Sequence, residues 1–282
     1  MVDKVRDYNP LDQLLKPFYI PREVPVFFLK SFLEFIYDIE VNGVENIPKT
    51  GGAIIISNHT DLLDAPIQAV YSPRRIVFLG KEELFRPQED VIKLLNSEIS
   101  LFRLPGLNLM KPSIEKFLNL LGSMYSGQLQ HWGSMPVIRN YHGNDPKSAV
   151  KYYEELEDYM ISILKSGEIV SIYPEGTRTE TGIMGPFKAL AAKLAIRANV
   201  PIIPSGIVGA WNMSSPQAFL SGQAFQAKIN YNIGNLIPPD QFPHDSQKKS
   251  AKLLTEELER RVYFLTQKTE RRMKSRAFYT KL

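Results

Sequence analysis

Cysteine is absent from this 282-residue sequence, and histidine is scarce. The first absence excludes disulfide bonds, cysteine zinc sites and a thiol nucleophile. The four histidines lack the spacing of a metal-binding motif (His59, His131, His142 and His244). No G-x-S-x-G sequence is present either, which argues against a serine hydrolase of the α/β type. We therefore expect no metal site and no cysteine-based catalysis.

An uninterrupted apolar run of the roughly 20 residues that a transmembrane helix needs is also missing. Residues 24–39 come nearest, but Lys30, Glu34 and Asp38 interrupt them. Residues 198–227 contain no charged side chain, yet prolines and glycines interrupt that stretch six times. We therefore predict that the chain does not span a bilayer.

Charge is unevenly distributed along the chain. Residues 247–282 hold eleven Lys or Arg against four Asp or Glu, a local charge of +7, so the remaining residues sum to −3 within the net +4. Such a segment suits anionic lipid, an acidic carrier protein or nucleic acid, or it is simply a solvated helix. We expect no nucleic-acid partner, because no binding module for it is recognisable.

Short apolar runs alternate with helical patterns through the middle of the chain. The patterns predict strands over residues 53–57, 75–79, 135–139, 168–173, 200–208 and 227–233, and helices over residues 146–165 and 186–198. This alternation favours an α/β fold with a mostly parallel or mixed sheet flanked by helices. Pro201 and Pro204 predict an edge or irregular strand for their segment.

We divide the chain into an N-terminal arm with an amphipathic helix (residues 1–40), a central domain (41–246) with a helical insertion at about 82–131, and a basic C-terminal helix (247–282). Between Pro25 and Ile39, aromatic and aliphatic residues recur at helical spacing. This face either packs on the main domain or lies in a membrane interface. A second segment without charge, residues 117–138, leaves the same two alternatives open.

Four polar segments stand in order along the central domain, each beside an apolar run. They are NHTDLLD (58–64), GSMPVIR (133–139), YPEGTR (173–178) and VPIIP (200–204). A histidine with a carboxylate suits proton transfer, and arginines suit a phosphate or another oxyanion. The segments therefore predict one cleft that combines both kinds of group.

His59 and Asp64 can meet only if the histidine precedes a helix that begins near the aspartate. On one continuous helix, five residues would turn the two side chains about 140° apart. Pro66 fits a helix start at this point, because proline is tolerated early in a helix. Asp64 then accepts a hydrogen bond from one ring nitrogen and leaves the other as a base. For Asp61, a helix cap is one interpretation, and its role stays open.

In the third segment, Gly176 permits close approach of a ligand or a positive φ. Arg178 is the first candidate for binding phosphate, and Arg139 is the second. Glu175 either fixes this loop or accepts a hydrogen bond from a substrate hydroxyl. The structural alternative is a turn held by an internal contact between Glu175 and Arg178.

The order and content of these segments closely resemble the glycerolipid acyltransferase family of bacterial and plastid phospholipid synthesis. The resemblance implies an α/β sandwich, with His59 as general base and Asp64 as its partner. It implies direct transfer without an acyl-enzyme, a metal or an organic cofactor. It also implies a set of substrate-binding residues: Arg139, Glu175, Gly176, Thr177, Arg178 and Lys188. Asp61 departs from the family, which often carries a small hydroxyl residue there.

The resemblance further implies that a fatty acyl group passes from acyl-CoA or acyl-carrier protein to 1-acylglycerol-3-phosphate and makes phosphatidate. It implies a peripheral or monotopic protein on a membrane surface that faces the cytoplasm, or the stroma in a plastid. Glycerol-3-phosphate or another lysophospholipid is the alternative acceptor. A non-catalytic lipid-binding protein and a thioester hydrolase are the alternatives from other classes.

Overall fold

The computed structural model describes residues 16–97, 107–138, 141 and 146–266. The helices in these ranges are α1 Glu23–Ile36, α2 Asp64–Tyr71, α3 Pro87–Asn96, α4 Lys111–Trp132, α5 Pro146–Lys165, α6 Leu190–Ala198, α7 Pro216–Leu220 and α8 Gln247–Leu265. The strands are β1 Asp38–Asn42, β2 Ala53–Ile56, β3 Ile76–Lys81, β4 Ser134–Val137, β5 Ile169–Ile172, β6 Ile202–Val208 and β7 Lys228–Ile233. This sequence of elements confirms the predicted α/β class.

The strands form one sheet in the order β1-β7-β6-β2-β5-β3-β4. The β1–β7, β6–β2, β2–β5 and β5–β3 pairs are parallel, whereas β6 and β7 are antiparallel, so the predicted mixed sheet is confirmed. Every residue of β2 is buried. Ala53 and Ile55 belong to the core cluster that also contains Leu33 of α1 and Ile67 of α2. Alternation along the strand turns Ile54 and Ile56 to the opposite face, and α6 contacts β2 as well.

Of the two alternatives for the proline-containing segment, an edge or an irregular strand, the edge strand is wrong. β6 lies inside the sheet, between β7 and β2. Pro201 precedes the strand, and its carbonyl accepts the amide hydrogen of Ile54. Pairing with β7 begins at Ser205 opposite Ile233, so the missing N–H of Pro204 lies beyond that ladder. An interior strand therefore accommodates both prolines.

Helix α1 ends earlier than the sequence pattern predicts. It stops at Ile36, and Asp38 and Ile39 belong to strand β1 instead, which corrects the predicted helix end at residue 39. Leu33 and Ile36 form the buried side of α1. The predicted aromatic stripe is largely its outer side, where Phe35 is 83% exposed.

The described residues belong to two compact units. Within the described ranges, the smaller unit comprises residues 16–22, 79–97, 107–138, 141 and 146–156, and the larger unit comprises residues 23–78 and 157–266. In the smaller unit α3 contacts α4, and the side chain of Gln88 lies so close to Gly122 that a Cβ there would collide with it. The charge-free stretch of α4 leaves Phe117, Leu121 and Tyr125 exposed. The predicted boundaries at residues 40 and 246 stay predictions.

No helix in the described ranges is both long enough and apolar enough to cross a membrane.

Candidate active site

The first polar segment lies in the loop that joins β2 to α2, in the larger unit. His59 stands in this loop, and Asp64 is the first residue of α2. The Nδ1 atom of His59 lies 2.8 Å from Oδ2 of Asp64, so the predicted contact is confirmed. Since a carboxylate only accepts hydrogen bonds, we assign the proton to Nδ1, which leaves Nε2 as the basic nitrogen.

Asp64 is completely buried, and backbone and side-chain donors surround its carboxylate. Its Oδ2 accepts the amide hydrogens of Thr60 at 2.6 Å and Asp61 at 2.9 Å, and its Oδ1 accepts the hydroxyl of Thr60 at 3.2 Å. A buried carboxylate needs such partners, and the amino end of a helix favours negative charge. These contacts fix the orientation that Asp64 presents to His59.

Glu175 joins the histidine loop to the segment that follows the third motif. Its Oε1 accepts the amide hydrogen of His59 at 2.7 Å, and its Oε2 accepts that of Gly185 at 2.6 Å. The amide of Thr179 donates to the carbonyl of His59 at 2.9 Å and adds a second link. These contacts favour the interpretation that Glu175 fixes the loop.

The turn at Gly176 has the positive φ that the sequence predicted, +79°. The amide of Gly176 donates to the carbonyl of Tyr173 at 2.9 Å. A Cβ at this position would lie 2.5 Å from Nζ of Lys188, so the lysine side chain lies against the turn. The amide of Lys188 also donates to the carbonyl of Pro174 at 2.8 Å. Glycine is therefore required both for its backbone conformation and for the approach of a cation.

A cleft of about 610 Å³ opens beside these loops. The first and third motifs and the loop between β6 and α7 line it: Thr60, Asp61, Leu62, Thr177, Arg178, Thr179, Glu180, Trp211, Asn212, Ser214, Ser215 and Pro216. Arg178 is exposed there and makes no ion pair within the part of the chain that the structure describes. Arg139, the second predicted phosphate ligand, lies outside the described residues.

The carboxylate of Asp61 contacts the backbone at the start of α2 and that of a second loop. Leu63 is the N-cap residue of α2 and has no side-chain cap. Asp61 accepts the amide hydrogen of Leu63 at 3.1 Å and that of Ser214 at 3.4 Å. The contact with Leu63 agrees with the capping interpretation, and the buried carboxylate also connects the histidine loop to the β6–α7 loop.

Sequence reasoning missed two aromatic residues of the site. Tyr173 stacks on the ring of His59. Trp211 lines the cleft and packs against Gly182, where a Cβ would lie 3.0 Å from the indole. The only sequence signals were the position of Tyr173 directly before Pro174 and the lack of charge around Trp211.

Among the described residues, no three His, Cys, Asp or Glu side chains come together as a potential metal site. The expectation of a reaction without a cofactor stays a prediction.

The sequence model of the family described as Acyltransferase matches residues 38–104 and 107–208. The chain belongs to the acyltransferase family. This acyltransferase is 26% identical over 243 residues to the 1-acyl-sn-glycerol-3-phosphate acyltransferase of Bacillus subtilis, covering 86% of this chain and 95% of that one. It is 25% identical over 174 residues to the chloroplastic enzyme BAT2 of Brassica napus, covering 61% of this chain and 38% of that one.

A crystal structure of the 1-acyl-sn-glycerophosphate acyltransferase PlsC from Thermotoga maritima is 19% identical, with a TM-score of 0.49. The match covers 95% of this acyltransferase and 93% of that chain. Family membership makes this protein an O-acyltransferase of lipid metabolism and confirms the predicted class of enzyme.

Proposed function

We propose that this acyltransferase transfers a fatty acyl group from a thioester donor, acyl-CoA or acyl-carrier protein, to the hydroxyl of 1-acylglycerol-3-phosphate. The product is phosphatidate. One observation carries the proposal: His59 and Asp64 are in contact at 2.8 Å, in a loop whose next residues line a cleft with Arg178. The relatives named 1-acyl-sn-glycerol-3-phosphate acyltransferase support this choice of acceptor.

His59 acts as the general base of the reaction. Its Nε2 takes the proton of the acceptor hydroxyl while that oxygen attacks the thioester carbonyl. Asp64 stabilises the imidazolium that forms, because its carboxylate accepts the Nδ1 hydrogen. The tetrahedral intermediate expels the thiolate, and the thiolate takes the proton from the imidazolium. The products are an ester and a free thiol. Both substrates are held together, and no acyl-enzyme, metal or organic cofactor takes part.

The acceptor phosphate binds at the turn of the third motif. Arg178 supplies a fork of N–H donors that matches a phosphate group, and it has no competing ion pair among the described residues. The side chain of Lys188 lies against Gly176 of this turn and adds a second positive charge. Thr177 lines the cleft beside Arg178. Arg139 remains the further proposed ligand.

The enzyme works at a membrane surface as a peripheral or monotopic protein on the cytoplasmic or stromal side. A lysophosphatidate acceptor is amphiphilic, and its acyl chain remains in the bilayer. The exposed face of α1 carries Phe28, Phe32 and Phe35, which suit the interfacial region of a bilayer. The basic residues of α8 would add attraction to anionic lipid.

Product identification tests this proposal most directly. The purified enzyme is given acyl-CoA or acyl-carrier protein together with glycerol-3-phosphate, 1-acylglycerol-3-phosphate or a lysophospholipid with a larger headgroup. We expect mass spectrometry to detect phosphatidate, and His59→Ala to abolish it. Acylation of glycerol-3-phosphate alone would contradict the proposed acceptor, and thioester cleavage that ignores every acceptor would indicate a hydrolase.

A further inference from the structure

The phenol ring of Tyr173 lies flat against the imidazole ring of His59. Their centroids are 4.1 Å apart, and the ring planes differ by only 16°. We propose that Tyr173 is a positioning residue for the general base, an inference that rests on the proposed function. The aromatic face fixes the plane of the imidazole and stabilises it when it becomes a cation.

Hydrogen bonds to the backbone of Tyr173 and to the backbone of His59 hold both residues of the stack in place. Tyr173 directly follows β5, and its carbonyl accepts the amide hydrogen of Gly176, which fixes the turn. The carboxylate of Glu175 accepts the amide hydrogen of His59 at 2.7 Å. The amide of Thr179 donates to the carbonyl of His59 at 2.9 Å. The stack is therefore tied to the same loop that carries the proposed phosphate ligand.

The contacts of the imidazole leave it little freedom. Asp64 binds Nδ1 at one edge, and Tyr173 covers one face. Only 16% of the His59 side chain is exposed. A ring held at one edge alone could rotate about that hydrogen bond, whereas the stacked phenol opposes such rotation. Tyr173 thus preorganises Nε2 toward one direction, which is the requirement for proton transfer in a bound complex.

The electrostatics of the stack favour the charged state of the base. The face of an aromatic ring carries the negative part of its quadrupole, and cations within about 6 Å of the centroid are attracted to it. The imidazole becomes positively charged only after it takes the substrate proton. The attraction therefore grows as the reaction proceeds, which is the condition for raising kcat rather than lowering KM.

The hydroxyl of Tyr173 takes no part in this role. It is buried and has no hydrogen-bond partner of good geometry among the described residues. Burial raises the pKa of this phenol well above its ordinary value, and the charge of Asp64 raises it further. The phenol therefore stays neutral and does not compete with His59 as a base. We therefore assign the positioning role to the ring of Tyr173 and no role to its hydroxyl.

Three substitutions test this separation. Tyr173→Phe keeps the ring and should keep kcat within about twofold of the wild type, whereas Tyr173→Leu should lower kcat by about tenfold with little change in KM for either substrate. Tyr263→Leu removes a fully buried tyrosine ring on α8 and is the control for the effect of a cavity. It should leave kcat per folded molecule unchanged. A Phe variant as impaired as the Leu variant would overturn the inference.

A fluorinated series keeps the test decisive if Tyr173→Leu fails to fold. Replacement of Tyr173 by phenylalanines with increasing fluorination up to pentafluorophenylalanine preserves the ring but weakens and then reverses its quadrupole. We expect kcat to fall steadily along the series, by about tenfold in total, while KM stays constant. A flat series would show that the ring only fills space and would overturn the electrostatic part of the inference.

A spectroscopic measurement separates this inference from the proposed function. In NMR spectra the ring protons of His59, assigned by their loss in His59→Ala, should show an upfield ring-current shift. The shift should persist in Tyr173→Phe and disappear in Tyr173→Leu. It does not depend on which acceptor is used, so wild-type enzyme that makes no phosphatidate would refute the proposed function alone. Absence of the shift in folded wild-type protein would refute the stack.

Discussion

Glu175 holds the backbone of His59 rather than its ring. One carboxylate oxygen accepts the His59 amide hydrogen at 2.7 Å while the other accepts that of Gly185 at 2.6 Å. The carboxylate is buried, and its two oxygens thus connect the loop after β2 with the segment beyond the third motif. The position of the proposed base therefore depends on a residue of the motif that we propose binds phosphate.

Glu175→Gln should weaken both folding and catalysis. A glutamine has one acceptor oxygen, so its NH2 group would face one of the two amide hydrogens and leave it unpaired. We expect the free energy of unfolding to fall by about 1–3 kcal/mol, the usual cost of an unsatisfied buried group. Urea denaturation measures this loss. Glu180→Gln is the control, because Glu180 is an exposed acid near the same cleft. Equal stability of wild type and Glu175→Gln would contradict the bridging role.

Asp64→Asn should reduce kcat far more than it reduces substrate binding. The amide preserves the shape of the carboxylate but removes the charge that stabilises the imidazolium, and it disturbs the acceptor pattern around Thr60 and Asp61. We expect kcat to fall by roughly 10²–10⁴-fold, in line with the loss of assisted proton transfer. Steady-state kinetics at saturating donor and acceptor test it. A variant with wild-type kcat would refute the partnership of Asp64 with His59.

The His59–Asp64 contact could be predicted from sequence because it is local. Five residues and a proline near the helix start restrict the geometry to one arrangement. The interior position of β6 could not be predicted, because a strand's neighbours are set by distant segments, here β2 and β7. The stack of Tyr173 on His59 was missed for the same reason, since 114 positions separate two rings that parallel strands bring together. The sequence pattern likewise does not say which face of α1 is buried.

Arg178→Ala should raise KM for a phosphorylated acceptor and leave KM for the thioester nearly unchanged. Loss of a charged hydrogen bond costs on the order of 2 kcal/mol, which corresponds to about a 30-fold change in affinity. Arg197→Ala is a suitable control, because Arg197 already pairs with Glu157 and Asp158 on the surface. Initial rates at varied acceptor concentration give the comparison. Unchanged acceptor KM in Arg178→Ala would reject its assignment to the phosphate.

Glu257 on α8 provides a pH-dependent contribution to stability. Hydrogen bonds from Arg260, and then from Arg261, lower the pKa of Glu257, although burial opposes them. A lowered folded-state pKa means that the stabilisation is present above the unfolded pKa of about 4.3 and disappears as the pH falls through the folded value. Because the arginines are partly exposed, Glu257→Gln should cost only about 0.5–1 kcal/mol at pH 7. Thermal unfolding at several pH values should show the difference between variant and wild type vanishing in acid.

The outer face of α1 should control membrane binding without affecting folding. Replacing Phe28, Phe32 and Phe35 by serine removes exposed apolar surface, so the free energy of unfolding should change by less than about 0.5 kcal/mol per site. Binding to vesicles that contain phosphatidylglycerol should fall at least about tenfold, since each ring contributes apolar area to the interface.

Leu253→Ser is the matched control for this change, because Leu253 is an exposed apolar residue on α8. Cosedimentation with vesicles measures binding, and salt or mild detergent should release the wild-type protein from a membrane pellet. Activity on vesicle-embedded acceptor should fall with binding in the α1 variant, whereas activity on a short-chain, water-soluble lysophosphatidate should persist. If the triple variant binds vesicles as well as the wild type does, α1 is not the membrane contact, because the three phenylalanines are the only residues changed.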